Sequence, residues 1–240
     1  MQTFAKAEVF KNCGTMNPAD ICHAGRNTLP DTKGAIMATL TYYGHSCFMF
    51  TDDEGYRVVF DPYQDGSVPG LRLPHIEAEK VYASHGHADH NAVDAVTLTG
   101  KGTDPFTVSF LETDHDDQGG TLRGENRITI LEAKGCRIAH FGDLGRGLTS
   151  AETAELKHCD LVMIPCGGYF TIDAGQAKEI LREICPKLAV LMHYRDGRSG
   201  YDVLLAKDEV KKVFPEAQDL SADTVDPASV CGTVFMRPAQ

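Results

Sequence analysis

Nothing in this 240-residue chain is apolar for long enough to cross a bilayer. Its longest hydrophobic runs, Leu161–Pro165 and Leu188–Met192, fall far short of the roughly 20 residues a spanning helix needs. No basic segment followed by an apolar one marks a secretory leader, so the expectation is a cytoplasmic protein with no membrane partner. The eight cysteines (Cys13, Cys22, Cys47, Cys136, Cys159, Cys166, Cys185, Cys231) contain no C-x-x-C pair. Their scatter through apolar, strand-like segments predicts reduced, mostly buried thiols rather than a disulfide framework. Basic excess is missing too. A net charge of -11 disfavours nucleic acid as a partner, because that binding needs a cationic footprint. Repeats and low-complexity tracts are absent, and the ordinary 42% hydrophobic content suits one large globular domain.

What is present divides unevenly. Residues 1–36 carry no sustained period and end in Pro30-Asp31-Thr32-Lys33-Gly34, so they read as a loosely structured N-terminal extension to a domain over 37–240. Short β-rich runs follow at Thr39–Tyr43, Cys47–Thr51 and Arg57–Asp61, with Asp52-Asp53-Glu54-Gly55 as a turn. Val81–Ser84 reads as a buried strand, and a short helix capped by Asn91 is expected to run to Val96. Strands are predicted at Phe106–Leu111, Arg127–Glu132, Arg137–Phe141, Leu161–Pro165, Leu188–Met192 and Val230–Met236. Helices are predicted at Ser150–Lys157 (capped by Ser150), Ala174–Ile184 and Val203–Phe214. Strands first and strand–helix alternation later predict an α/β fold of two sheets covered by outer helices.

The chemistry concentrates in Ser84-His85-Gly86-His87-Ala88-Asp89-His90, directly after Val81-Tyr82-Ala83. Three of the ten histidines fall within six residues there, which is hard to obtain from an idle polar loop. His85 and His87 can share a face and converge on one cation, while Asp89 and His90 turn toward a second. Imidazole with carboxylate suits zinc first, with manganese, iron or nickel as alternatives. Three more donors each follow an apolar run: His115, Asp143 (after Gly142) and His193. Repeated delivery of ligands to strand ends is what a dinuclear site between sheets requires.

Gly44-His45-Ser46-Cys47, Phe60-Asp61-Pro62, His85-x-His87-x-Asp89-His90, His115, Gly142-Asp143 and His193 together resemble the metallo-β-lactamase fold superfamily. Within it they are similar to the metal-dependent hydrolases near the ascorbate-6-phosphate lactonase branch. The resemblance covers about residues 37–236. It implies an αββα sandwich, with two mixed sheets face to face, helices outside and two metals between the sheets. It further implies that His85, His87 and His115 hold one metal, that Asp89, His90 and His193 hold the other, and that Asp143 bridges them.

A metal-dependent hydrolase is therefore expected, using a metal-bridged hydroxide to cleave a small, anionic ester, lactone or phosphoester. Asp89 binds metal and can also orient the nucleophile or relay its proton. The two cations outweigh Asp89, Asp143 and the hydroxide, so the inner site is cationic within an acidic protein. Asp61 is expected to accept an N–H from a ligand histidine, against the plainer reading of a turn residue before Pro62. His45 divides between cleft wall and turn residue. Gly167-Gly168-Tyr169 offers a loop where backbone could approach substrate, and Tyr169, Tyr194, Arg146 and Arg195 are candidate substrate contacts. His140 reads as a hydrogen-bonded core histidine, leaving the third ligand position to His115, while His23, His75 and His158 read as exposed and idle. Competing functions are a nuclease or phosphodiesterase, an iron redox site, and a non-catalytic metal-binding protein. The first lacks a basic surface and the second an electron-transfer domain. The third leaves Asp89 without a purpose. A homo-oligomer is compatible with all of these.

Overall fold

Alternation of apolar and polar side chains builds the first strands. In β1 (Thr39–Gly44), Leu40 and Tyr42 point inward while Thr39 and Thr41 stay half-exposed. β2 (Cys47–Thr51) folds back on β1, and β3 (Arg57–Phe60) pairs antiparallel with β2. The turn between them is fixed by Asp52, whose Oδ1 accepts the N–H of Glu54 (2.9 Å) and Tyr56 (2.7 Å). The computed structural model describes residues 38–239, so the expected extension at 1–36, with His23, Cys13 and Cys22, lies outside the described residues.

After β4 (Ile76–Ala78), β5 (Lys80–Tyr82) joins β3 in parallel as an edge strand. It is partly exposed, not the buried strand expected, because nothing among the described residues pairs with its outer side. The expected helix from Asn91 is one 3-10 turn at Val93–Ala95, with no side-chain cap. The chain is held back there by the Ala92 N–H on the Pro62 carbonyl (2.8 Å). β6 (Val96–Leu98) then pairs with β4 in a two-stranded ribbon.

The second sheet begins with a meander of β7 (Thr107–Asp114), β8 (Glu125–Ala133) and β9 (Cys136–His140). Helix α1 (Ser150–Leu156) is capped by Thr149, one residue earlier than expected, in a capping box with Glu152. Strands β10 (Leu161–Pro165) and β11 (Leu188–Met192) are buried along their whole length, as parallel strands covered on both faces must be. Between them α2 (Ala174–Ile184) buries Ala177, Ile180, Leu181 and Ile184, with Asp173 and Gln176 closing a second capping box. Helix α3 covers only Lys207–Val213, because Ala206 is tied in a bridge to Arg195 and keeps the preceding residues extended. The chain ends with β12 (Gln218–Asp219), β13 (Thr224–Val225) and β14 (Gly232–Phe235).

The result is an α/β sandwich. A five-stranded sheet, β13-β1-β2-β3-β5, faces a seven-stranded one, β12-β14-β11-β10-β9-β8-β7, and both are mixed. Leu40, Phe48 and Phe60 from the first meet Leu131, Met163 and Val190 from the second in the central core. Leu156, Ile180 and Val210 of the three described helices pack on the outer face of the larger sheet. On the other outer face, Ile76, Ala78 and Val96 of the β4–β6 ribbon cover Cys47 and Val59. Among the described cysteines none is bonded; Cys47, Cys159 and Cys166 are buried, Cys231 is half-buried, and Cys136 and Cys185 are exposed. No helix among the described residues is long and apolar enough to cross a membrane.

The pairing pattern makes β1, β3 and β5 run in one direction, and β7, β9 and β11 likewise. Their C-terminal ends converge, bound together by the His193 N–H on the His45 carbonyl (3.0 Å). Every candidate ligand leaves from one of these ends.

Candidate metal centre

The β1–β2 turn supplies His45, the loop after β3 Asp61, and the loop after β5 His85, His87, Asp89 and His90. Strand β7 ends at His115, β9 leads through Phe141 and Gly142 to Asp143, and β11 ends at His193. Three of these residues sit at positive φ: His45 (55°), Asp61 (45°) and His193 (55°). Left-handed backbone costs a non-glycine residue roughly 1–3 kcal/mol and persists only where surroundings over-determine it. Here it turns each side chain back into the mouth between the sheets.

Donor atoms gather into overlapping groups, each spanning no more than 4.8 Å: His85, His87 and His115; His45, Asp89, His90 and His193; and His85, His90 and Asp143. Asp143 lies between the first two groups. Its Oδ2 is 3.4 Å from His115 Nε2, 3.2 Å from His90 Nε2 and 3.2 Å from His193 Nε2. Asp89 Oδ2 sits 3.3 Å from His45 Nε2 and 3.7 Å from His90 Nε2, and accepts the Tyr201 hydroxyl at 3.2 Å.

The supports are buried and specific. Asp61 accepts Ser84 N–H on Oδ1 (2.7 Å), and on Oδ2 both the Ser84 hydroxyl (2.7 Å) and His90 Nδ1 (2.8 Å). With Nδ1 committed as donor, His90 presents Nε2 to the centre. Asn126 of β8 clips the opposite wall. Its Oδ1 accepts the Asp143 N–H (2.8 Å), while its amide donates to the Phe141 carbonyl (3.0 Å) and Thr113 Oγ1 (2.9 Å). Gly142 has φ +55°, and a Cβ there would collide with Ser84 Cβ and Asn126 Oδ1.

Burial, with His193 next, lowers His45 to about 4, and burial with neighbouring His90 lowers His85 to about 3. Burial lowers His115 as well, so all three imidazoles are neutral at pH 7 with lone pairs free for a cation. Burial alone would raise Asp89 and Asp143. The histidines around them outweigh it and hold both carboxyls below the usual range. His90 is raised despite its burial by Asp143 and Asp61, so a proton and a cation compete for its Nε2.

Among the described residues, the buried polar side-chain atoms without a hydrogen-bond partner include His45 Nδ1, His85 Nε2, His90 Nε2, His115 Nδ1, Asp143 Oδ1 and both nitrogens of His193. Buried donors and acceptors left unpaired are costly, and here they cluster in one place. The donor chemistry of imidazoles plus two carboxylates fits divalent cations, with zinc a natural occupant.

Other expected residues fall differently. His140 is buried, stacked on Phe60 (ring centroids 5.1 Å), and donates Nε2–H to the Ser46 carbonyl (2.9 Å). Tyr194 is buried in the helix-side core, edge-on to Phe235 at 5.3 Å, and lines a small pocket with His45 and Tyr42. Arg146 is tied to Asp114 (2.6 Å) and Glu152 (2.8 Å), which makes it a brace for the β7 end rather than a free cation. Gly167 brings its loop against the His193 carbonyl, where a Cβ would collide, so its close approach serves a ligand and not a substrate. Arg195 is on the loop beyond His193, its N–H on the Leu205 carbonyl (3.0 Å). Tyr169 remains at the rim, exposed and in contact with Phe170. His75 and His158 are exposed. Asn126, Ser84 and Tyr201 were not singled out from sequence. Asn126 precedes the alternating strand segment Arg127-Ile128-Thr129-Ile130, and nothing in its local sequence marks it.

A family model described as the beta-lactamase superfamily domain matches residues 39–193, and the chain belongs to that family. A UPF0173 metal-dependent hydrolase of Carboxydothermus hydrogenoformans is 27% identical over 195 residues, covering 65% of this chain and 84% of its own. A candidate Zn-dependent hydrolase of the metallo-beta-lactamase superfamily from Thermotoga maritima superposes with TM-score 0.63 at 25% identity, over 83% of this chain and 98% of that one. The fold is shared as well with the metallo hydrolase Igni18 of Ignicoccus hospitalis, at TM-score 0.60 and 18% identity, over 85% and 97% of the two chains.

Proposed function

We propose that residues 37–240 form a metal-dependent hydrolase domain that holds two divalent cations, zinc foremost, and cleaves a small anionic ester, lactone or phosphoester. The observation that carries this reading is Asp143 Oδ2, 3.2–3.4 Å from imidazoles of both donor groups, where one carboxylate can serve two cations. The relatives named metal-dependent hydrolases support the reaction type. A cation pair in such a site supplies a water of lowered pKa and a Lewis acid for the substrate oxygen.

His85, His87 and His115 hold one cation; Asp89, His90 and His193 hold the other, and His45 lies close enough to join them. Asp89, ionised and bonded by His45 and Tyr201, keeps one oxygen fixed and is the residue suited to take up a proton during attack. Cations exceeding the two inner carboxylates in charge draw an anionic substrate to an otherwise acidic protein.

Metal analysis followed by a chelator-controlled screen of lactones, thioesters and phosphoesters tests the reading. Two equivalents of metal and chelator-sensitive hydrolysis are expected. Asp143→Asn should lower turnover at least about 10³-fold, a loss of about 4 kcal/mol of transition-state stabilisation. Full activity in that variant, or in protein stripped of metal, would sink the proposal.

A further inference from the structure

We propose that Arg123, laid against the Phe170 ring, is the anion-recognising group of this centre, and that the substrate is an oxyanion carried on an apolar or aromatic body. This rests on the hydrolase reading above and names its substrate class.

Arg123 has its guanidinium carbon 5.7 Å from the Phe170 ring centroid, within cation–π range. Arg57, Arg127, Arg137, Arg146 and Arg182 pair with carboxylates. Arg123 belongs with Arg72, Arg195, Arg198 and Arg237, near which no carboxylate among the described residues lies within ion-pair distance. Of these it is the one set against an aromatic ring beside a candidate ligand loop. A guanidinium stacked by one face keeps its edge N–H groups free, in the fork that matches a carboxylate or phosphate.

Its backbone is fixed beside the metal centre. Asp116 accepts four N–H groups, from Gln118 (2.8 Å) and Gly120 (2.9 Å) on Oδ1 and from Leu122 (2.9 Å) and Arg123 (2.8 Å) on Oδ2. The next carbonyl, Gly124, accepts the N–H of His115 (3.0 Å), so this loop and a candidate ligand are one rigid piece. On the other side Phe170 meets Tyr201 (ring centroids 5.7 Å), and the Tyr201 hydroxyl reaches Asp89. Arg123, Phe170 and Tyr201 thus form an arc from the His115 side of the centre to the Asp89 side.

The same segments carry exposed apolar surface. Of the five exposed large hydrophobic residues described, three flank this arc in sequence: Leu122 (61% exposed), Tyr169 (64%) and Val203 (50%). Scattered exposed apolar residues need no explanation, but three on the segments that carry this arc are the surface an amphiphilic ligand would use.

Calorimetric titration of phenyl phosphate into the zinc-loaded protein tests this, with Arg123→Ala, Arg123→Lys and Phe170→Ala alongside wild type. Arg123→Ala should raise Kd by about tenfold to a hundredfold, the scale of a lost charged hydrogen bond. Arg123→Lys should recover only part of it, and Phe170→Ala should weaken phenyl phosphate more than inorganic phosphate. An unchanged Kd in Arg123→Ala, or failure of wild type to bind, overturns the inference while chelator-sensitive hydrolysis still decides the hydrolase reading separately. Weakened binding without any hydrolysis would keep Arg123 and remove that reading. A matching fall in zinc content would reassign Arg123 to the loop that seats His115, and also overturns the inference.

Discussion

His85, His87 and His115 offer three imidazoles at a half-open rim, whereas His45, Asp89, His90 and His193 add a carboxylate and are sunk between the sheets. Their supports differ in the same sense. His115 follows Asp114, which is braced by the partly exposed Arg146–Glu152 pair. His90 is held by Asp61, wholly buried and fully hydrogen-bonded. A set near solvent that relies on the shared Asp143 for its carboxylate releases a cation more easily than one that adds Asp89, since losing the latter's cation leaves a further charge uncompensated. The all-imidazole half should therefore exchange metal first, and the buried half should be coupled to folding.

The largest effects come from removing one histidine per half. His87→Ala is expected to lose one equivalent of metal and about 10³-fold in turnover, with little change in the unfolding temperature of the metal-free protein because His87 is exposed. His193→Ala should lose the other equivalent and also about 3 kcal/mol of stability, since it opens a buried space beside Asp143. Metal stoichiometry and thermal unfolding read both. Equal losses of stability, or loss of both metals in each variant, would erase the distinction between the halves.

A smaller effect isolates the support. Asp61→Asn keeps the volume but weakens the acceptor for His90 Nδ1, and should lower metal affinity about 10- to 100-fold. The loss should fall mainly on the buried half, because Asp61 bonds His90 directly but reaches His85 only through the Ser84 hydroxyl, 2.9 Å from His85 Nδ1. Competition titration with a chelator should show one step weakened more than the other; two equally weakened steps would mean that Asp61 supports the centre as a whole.

How much of this was legible follows from range. The donors of the 85–90 run lie within one loop, so spacing alone brought them together, and His115, Asp143 and His193 each followed an apolar strand. Asp61 was legible as a residue at a strand end with histidines to hold. Asn126, Tyr201 and Arg123 act through partners at separations of 17, 112 and 47 residues, respectively Asp143, Asp89 and Phe170, and no local pattern encodes such pairs. The short strands β4, β6, β12 and β13 were missed for a related reason: two or three residues carry no period, and only pairing defines them. Tyr194 is legible as the neighbour of His193, but its packing on Phe235, 41 residues away, is not, since sequence proximity says nothing about which way the next side chain turns.

The least dramatic test concerns the exposed brace. Arg146, the largest influence on Glu152, holds its carboxyl at about 2, below its ordinary 4.5, against the opposing effect of partial burial. A carboxyl depressed on folding adds stability that is complete above its unfolded pKa and is lost as pH falls through its folded one. For Glu152 that window runs from about pH 4.5 down to about 2. Screened by solvent, the pair contributes about 1 kcal/mol, or about 2–4 °C in a domain of this size. Glu152→Gln should therefore unfold about 2–4 °C below wild type at pH 7, with the gap closing toward pH 2. Measuring this on chelated protein separates the brace from metal loss. A gap that stays constant with pH would show that Glu152 acts through the Thr149 cap rather than its charge, and the contrast between a charged, acid-sensitive support for His115 and a buried one for His90 would fall with it.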